Sequence, residues 1–467
     1  MTGSNTPASA NQSIKPKTYS VNNQGHVCLD GVDVTELAKM YGTPLYILDA
    51  TTFRAMAQVY TESLAEFYAG DALALYASKA NLSMGICKLA QSEGLGLDVV
   101  SGGELYTAVQ AEFPLEKVFF NGNNKSISEI EMALHHEVGR ITVDNPDELE
   151  LVHQVAEKKG VKANVLLRVS PGIECHTHDY IKTGQLDSKF GFNLSDLVPV
   201  MDKITTTYQD TIVLKGLHAH IGSQIFETRP YEDLVETLLN IYYNIRENYD
   251  GMILSDINLG GGIGVAYTDT DDPLNVAKVI EKVTRRLEQY AESLEYPLPR
   301  LMIEPGRSMV ANAGVTLYEL GSTKVVPGVR KYVAVDGGMG DNIRPALYQA
   351  EYSALIANKA DAPADETVTI AGKYCESGDI LIQRLEVPET EPGDLLMVFG
   401  TGAYNYSMAS NYNRVPRPAV VLIENGEPHL LVRRESYEHI TALDVIPSCL
   451  LSVDPDPAVV AVGEKAV

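Results

Sequence analysis

Lys79 closes the stretch "LALYASK", where an apolar run from Leu73 to Ala77 gives way to a serine and then a lysine. An amine at the C-terminal mouth of a buried strand loses water, and that loss disfavours its charged form. A desolvated lysine is a nucleophile near neutral pH. "NLGGGIG" from Asn258 follows a second apolar run. Consecutive glycines such as Gly261 and Gly262 let backbone N–H groups approach a phosphate closely, although a tight turn wants glycine as well. "HIGSQ" from His220 offers N–H groups and the Ser223 hydroxyl at another strand end. "EPGRS" from Glu304 adds a carboxylate, a proline-fixed turn, Gly306 and the cation Arg307. A plain Glu–Arg ion pair at a strand end would explain the same residues.

Two further sets of residues invite chemistry. His218 and His220 stand at i and i+2, on one strand face, and His176 and His178 repeat the spacing. Neither pair has a carboxylate or thiolate at a ligand-like spacing, so no metal is expected. An imidazole stacked on a planar ring suits His220 better, and His135–His136 reads as a solvated helix end. The cysteines, Cys28, Cys87, Cys175, Cys375 and Cys449, are odd in number and widely spaced, with no CxxC pair. They read as reduced thiols of a cytoplasmic protein. A lone cysteine such as Cys375 ordinarily fills space.

These residues need elements to hold them. Strand candidates are "LALYAS" from Leu73, "GLDVVS" from Gly96, "KVFFNG" from Lys117, "RITVDN" from Arg140, "NVLLRVS" from Asn164, "LKGLHAHIGSQ" from Leu214, "ILSDINLGGG" from Ile253 and "RLMIEPGRS" from Arg300. Helical patterns lie between them, for example "SISEIEMALHH" from Ser126 and "NPDELELVHQVAEKKG", with Asn145 placed to cap the start and Gly160 the end. Eight β–α units over this length suit a (β/α)8 TIM barrel, whose active site gathers at the C-terminal strand ends. A doubly wound sheet seldom has polar residues after nearly every strand, as here.

The texture changes near Gly314. Segments become short, β-branched and turn-punctuated, and "ENGEP" signals a hairpin. The expected organisation is a disordered tail over residues 1–20, a segment 21–47 that joins a C-terminal mostly-β domain, a barrel over 48–313, and that β domain over 314–467. The chain has 467 residues, 37 Lys+Arg and 62 Asp+Glu, a net charge of −25. Such a surface repels nucleic acid and anionic lipid, so any anionic ligand needs a local cluster of cations or N–H groups. No apolar run approaches the ~20 residues of a membrane span. The small, polar N-terminus lacks the apolar core of a secretory signal.

"YASKAN", "THDYIKTGQLDSKFG", "HAHIGSQ", "NLGGGIG", "IEPGRS", "DGGMGDNIRPALYQA", "CESGD" and "GAYNYSMASNYNRVPRP" occur in this order. Together they resemble the diaminopimelate decarboxylases, pyridoxal-phosphate enzymes of the alanine-racemase-like barrel fold, from about residue 20 to the end. In "SKAN" many members have a leucine or phenylalanine before the lysine. The resemblance implies that Lys79 forms the Schiff base with pyridoxal 5'-phosphate, that His220 holds one face of the ring, and that Glu304 pairs with the pyridine nitrogen. It implies phosphate contacts from Ser223, Gly261, Gly262, Gly306, Arg307 and Tyr404. Arg307, Arg344, Tyr348 and Tyr404 match the family's substrate ligands, with Glu376 for the distal ammonium and Cys375 as the proton donor. The expected reaction is decarboxylation of meso-diaminopimelate to L-lysine, in a homodimer whose "CESGD" segment reaches the partner's barrel. Rival readings are an ornithine-, lysine- or arginine-type decarboxylase of the same fold, an amino-acid racemase, and a non-catalytic pyridoxal-phosphate carrier. The last would need neither the β domain nor "CESGD".

Overall fold

The parallel strands expected from the apolar runs close on themselves. In the computed structural model, which describes residues 9–173 and 189–450, the strands Ala72–Ala77, Gly96–Val99, Val118–Phe120, Arg140–Val143, Ala163–Arg168, Ile212–His218, Asp256–Asn258 and Arg300–Ile303 form a closed barrel of eight strands. The last pairs in parallel with the first, Leu301 opposite Ala72 and Ile303 opposite Ala74. One set of alternating side chains, among them Leu73, Leu75, Phe119, Leu166 and Met302, forms its own buried cluster. The other set packs against the surrounding helices. At the N-terminal end Arg140 donates from Nε to Asp256 Oδ2 at 2.7 Å, joining the starts of two strands. Polar groups for chemistry are therefore found at the opposite end.

Helices begin beside that opposite end. Ser83 accepts from the Ile86 N–H, and Ser101 accepts from the Glu104 N–H. Ser126 forms a full capping box with Glu129, and Asn145 caps the helix Pro146–Lys159, which stops at Gly160 in a left-handed conformation. Each cap satisfies a helix N–H that has no partner within its own helix, and each fixes where a strand-end loop must finish.

The β domain is built on the long strand Gly314–Val326. It pairs antiparallel with Arg330–Val335, with Leu395–Phe399 and with the N-terminal strand Leu45–Asp49, which in turn pairs in parallel with Ala419–Glu424. Ala419–Glu424 and Glu427–Val432 make the expected hairpin, with Asn425 and Gly426 both at positive φ in its turn. Within the joining segment, Val27–Leu29 pairs antiparallel with Val32–Asp33. Val27 and Leu29 pack on Ile47, Val315, Met397 and Val421 in the core of the β domain.

The reading of residues 1–20 as a tail needs correction from residue 9 onward. Asn11 is buried, and its side-chain amide donates to Gly264 O at 3.0 Å and Leu274 O at 2.9 Å. A small polar segment has no apolar surface to signal packing, but a buried amide with two carbonyl acceptors holds it in place. Cys175, His176, His178 and most of "THDYIKTGQLDSKFG" lie outside the described residues, as does the acidic C-terminal stretch 451–467.

Candidate active site

Lys79 sits in a short turn, Ser78–Ala80, immediately after the first barrel strand. In the next strand Asp98 stands opposite Ala77 and is wholly buried. The Lys79 ammonium donates to Asp98 Oδ2 at 3.0 Å. Asn121, just past the third strand, donates to Asp98 Oδ1 at 2.5 Å and to Glu304 Oε1 at 3.1 Å. Asn258 donates to the same Glu304 oxygen at 2.8 Å. His218 Nε2 lies 3.2 Å from Glu304 Oε2, a bond that requires the proton on Nε2. One continuous network therefore links the amine and the glutamate.

The network sets the charges. Burial pushes the Lys79 ammonium down, but the carboxylates of Asp98 and Glu304 push it up by more, and it ends above the ordinary lysine value. This corrects the expectation of an amine made neutral by desolvation. Its side chain is also 38% exposed at the mouth, so its loss of water is incomplete. Burial opposes the charge on Glu304, yet His218 and Lys79 outweigh it and hold the carboxyl far below its usual range. His220 is driven well below its ordinary value by burial first, then by the cations Lys79 and Arg168, so its ring is neutral.

The loops after the last three strands touch through backbone. A Cβ on Gly261 would lie 2.1 Å from Glu304 O, and one on Gly262 would lie 2.2 Å from Gly222 O. Only glycine permits this approach. Gly261 N–H donates to His220 Nδ1 at 3.2 Å, which orients that ring. Ser223 Oγ accepts from Arg307 Nε at 3.3 Å and Nη2 at 3.1 Å, and Arg307 Nη1 donates to the Tyr267 hydroxyl at 2.7 Å. Gly306 packs on the first strand end, where its Cβ would stand 3.0 Å from Ala77 Cβ. The "HIGSQ", "GGGIG" and "EPGR" loops thus meet beside Lys79, as the sequence expects.

The β domain adds a second wall. Tyr404 has φ +60° and donates its N–H to Ala80 O at 2.7 Å, beside the Lys79 turn. Its ring lies 4.7 Å from the Arg307 guanidinium and 5.7 Å from that of Arg344. Arg344 starts the short helix Arg344–Tyr348 and lies 5.1 Å from the Tyr348 ring. It is only 7% exposed, its Nε has no hydrogen-bond partner, and no ion pair reaches it among the described residues. Cys375 and Glu376 do not join this cluster within one chain. Both are exposed on the loop between Glu366–Ala371 and Ile380–Val387, where Cys375 N–H donates to Asn413 Oδ1 and Glu376 accepts from the Tyr412 hydroxyl at 2.5 Å.

Sequence reasoning missed Asp98, Asn121, Asn258 and the role of His218. Asp98 carried a signal, since a carboxylate in the middle of "GLDVV" interrupts an apolar strand. The asparagines carried none beyond their place at strand ends. Among the described residues no cluster of three or more His, Cys, Asp or Glu could hold a metal, and no helix is long and apolar enough to cross a membrane.

The residues fit pyridoxal phosphate by their chemistry. An amine for its aldehyde, a buried carboxylate for its ring nitrogen, a neutral imidazole, and a hydroxyl–guanidinium pair beside glycine loops lie at one barrel mouth. Residues 53–311 match the family described as pyridoxal-dependent decarboxylase, pyridoxal binding domain. The chain is 51% identical over 429 residues to a diaminopimelate decarboxylase of Bacillus subtilis, covering 92% of this chain and 97% of the relative. It is 46% identical to one of Synechocystis, over 96% of each chain. A solved diaminopimelate decarboxylase of M. jannaschii, in complex with L-lysine, superposes with a TM-score of 0.86 at 33% identity, covering 93% of this chain and 99% of the other. With its barrel, its β domain and its lysine–glutamate mouth, this chain belongs to the diaminopimelate decarboxylases of the pyridoxal-dependent decarboxylase family.

Proposed function

We propose that the protein decarboxylates meso-2,6-diaminopimelate to L-lysine and CO2. The observation that carries the substrate assignment is Arg344, a buried guanidinium with an unpartnered Nε and no carboxylate partner among the described residues. An uncompensated buried cation is strongly unfavourable, and a ligand carboxylate offsets that. A substrate with a distal carboxylate supplies one; ornithine does not.

Bound pyridoxal phosphate supplies an electron sink for the carbanion left when CO2 departs. Lys79 would carry it through Nζ, with Asp98 orienting the amine. Glu304 would accept a hydrogen bond from the ring nitrogen and keep its proton in place. His220 would lie against the ring, and Ser223, Gly261, Gly262, Gly306, Arg307 and Tyr404 would surround the phosphate. Arg307, Arg344, Tyr348 and Tyr404 would hold the substrate carboxylates. Glu376 would pair with the distal ammonium, and the Cys375 thiol would deliver a proton to the decarboxylated carbon. Because those two residues stand exposed and away from their own mouth contacts, we assign them to the barrel of a second copy. A homodimer with shared sites follows from that reading, and the odd number and wide spacing of the cysteines suit reduced thiols in the cytoplasm.

CO2 release measured with meso-diaminopimelate and L-ornithine tests the assignment. Release is expected from the first substrate only. Arg344→Ala should lower kcat/KM for diaminopimelate about 10- to 100-fold, the size of a charged hydrogen bond. Preferred turnover of ornithine would defeat the reading, and so would a wild-type rate in the variant.

A further inference from the structure

Asp341 lies three residues before Arg344, in "DGGMGDNIRP". It is only 2% exposed and carries no part of the reaction as proposed above. Its Oδ2 accepts from the Tyr318 hydroxyl at 2.5 Å, and its Oδ1 accepts from the Gly338 N–H at 3.1 Å. Its backbone carbonyl accepts from the Tyr46 hydroxyl. The Tyr374 phenol faces the same carboxyl and lies on Gly340, whose Cβ would stand 2.1 Å from its oxygen. Tyr374 immediately precedes Cys375. It stacks on Tyr412, which donates to Glu376.

The loop around Asp341 is tied to each substrate-facing segment. Asp379, the last residue of "CESGD", accepts from the Met339 N–H at 2.7 Å and the Tyr374 N–H at 2.9 Å. Lys373 N–H donates to Gly337 O at 2.9 Å, and Ser410 N–H donates to Gly340 O at 2.8 Å. The segment 336–341 therefore joins the Arg344 helix, the Cys375–Glu376 loop and the segment that follows Tyr404. A buried carboxyl in such a junction does more than fill space, because the Tyr318 hydroxyl, the Tyr374 phenol and the Gly338 N–H all turn donors toward it.

We propose that Asp341 is a positioning residue for the substrate end of the site, its carboxylate fixing the Arg344 helix relative to the loop that carries Cys375 and Glu376. The proposal rests on the function proposed above. Burial, then Asp336 and Asp379, push this carboxyl up to about 7, against the Tyr318 hydroxyl and the Gly338 N–H, which pull it down. The other titratable groups that face it are the phenols of Tyr46 and Tyr374 and, more remotely, the Arg434 guanidinium. Above that pH both oxygens accept from the surrounding donors. Below it one oxygen carries a proton, and a phenol or the Gly338 N–H loses its acceptor.

The test uses the holoenzyme and Asp341→Asn. Cofactor absorbance should stay close to wild type, while Tm should fall by a few degrees, as one buried donor loses its acceptor. KM for meso-diaminopimelate should rise about tenfold, the scale of one well-placed hydrogen bond, and L-lysine should bind about tenfold more weakly by titration calorimetry. Wild-type kcat/KM is expected to show an inflection near pH 7, and that inflection should be absent from the variant. Tyr318→Phe removes a donor that favours the carboxylate, so it should move that inflection to higher pH; this variant decides the matter if Asp341→Asn does not fold. Wild-type KM, lysine affinity and pH profile in the variants would overturn the proposal. So would cofactor loss with an unmoved inflection in Tyr318→Phe. A wild type that releases no CO2 from meso-diaminopimelate defeats the functional reading instead, and the two failures are distinct.

Discussion

An ammonium that donates to a buried carboxylate answers to pH differently from a lysine that has merely lost water. Lys79 is of the first kind, because Asp98 and Glu304 stand within the same network. Asp98→Asn removes the nearer charge, so the amine should lose its proton at lower pH. Borohydride trapping of pyridoxal phosphate on the Lys79 peptide, followed against pH, should show a lower midpoint in the variant; an unchanged or higher midpoint would contradict the role of Asp98. Glu304→Gln keeps the shape of the side chain and removes its charge. Its kcat should fall by about 10²- to 10³-fold, as for loss of a preorganised electrostatic group, while cofactor affinity changes little, since Ser223 and Arg307 lie elsewhere. Cofactor loss with unchanged turnover per loaded site would reverse that assignment. Lys79 was legible because an apolar run that ends in a lysine is unusual in itself. Its pKa was not, because the direction depends on which carboxylate the next strand brings alongside, and the register Ala77 opposite Asp98 is a tertiary fact.

At the scale of elements, the site depends on loops that meet backbone to backbone. Gly261→Ala would drive a methyl group against Glu304 O, so the seventh and eighth strand ends must separate. Overpacking of this kind costs about 1–3 kcal/mol. The variant should melt several degrees lower and bind pyridoxal phosphate more weakly, and calorimetry with a cofactor titration measures both. Wild-type behaviour in the two would mean that the loop is free to yield. The eight strands, the cap at Asn145 and the Asn–Gly hairpin could be read from local chemistry, since apolar runs, capping side chains and positive-φ residues act within a few positions. The packing of Asn11 on Gly264 and Leu274 could not, because its partners lie more than 250 residues away and its composition resembles that of a loose terminus.

At the scale of the molecule, a surface of net charge −25 surrounds a mouth where Arg307, Arg344 and Arg168 are buried. The contrast favours small ligands whose carboxylate or phosphate groups are held by local cations over a polyanion that binds at the surface. The same mouth lacks the thiol and carboxylate that the sequence assigns to it, because Cys375 and Glu376 are displayed on an exposed loop of the β domain. No feature of a single sequence states which chain's barrel a loop serves. The central claim is that two chains complete each site. It is tested by mixing two inactive parents, Lys79→Ala and Cys375→Ala, under conditions that let subunits exchange. In a mixed dimer one site collects both defects and the other collects neither, so equal amounts should restore roughly a quarter of wild-type CO2 release, by the symmetry of a two-fold interface. Activity that stays at the level of the parents, with mixed dimers shown to form, would contradict the shared site and return Cys375 to its own chain.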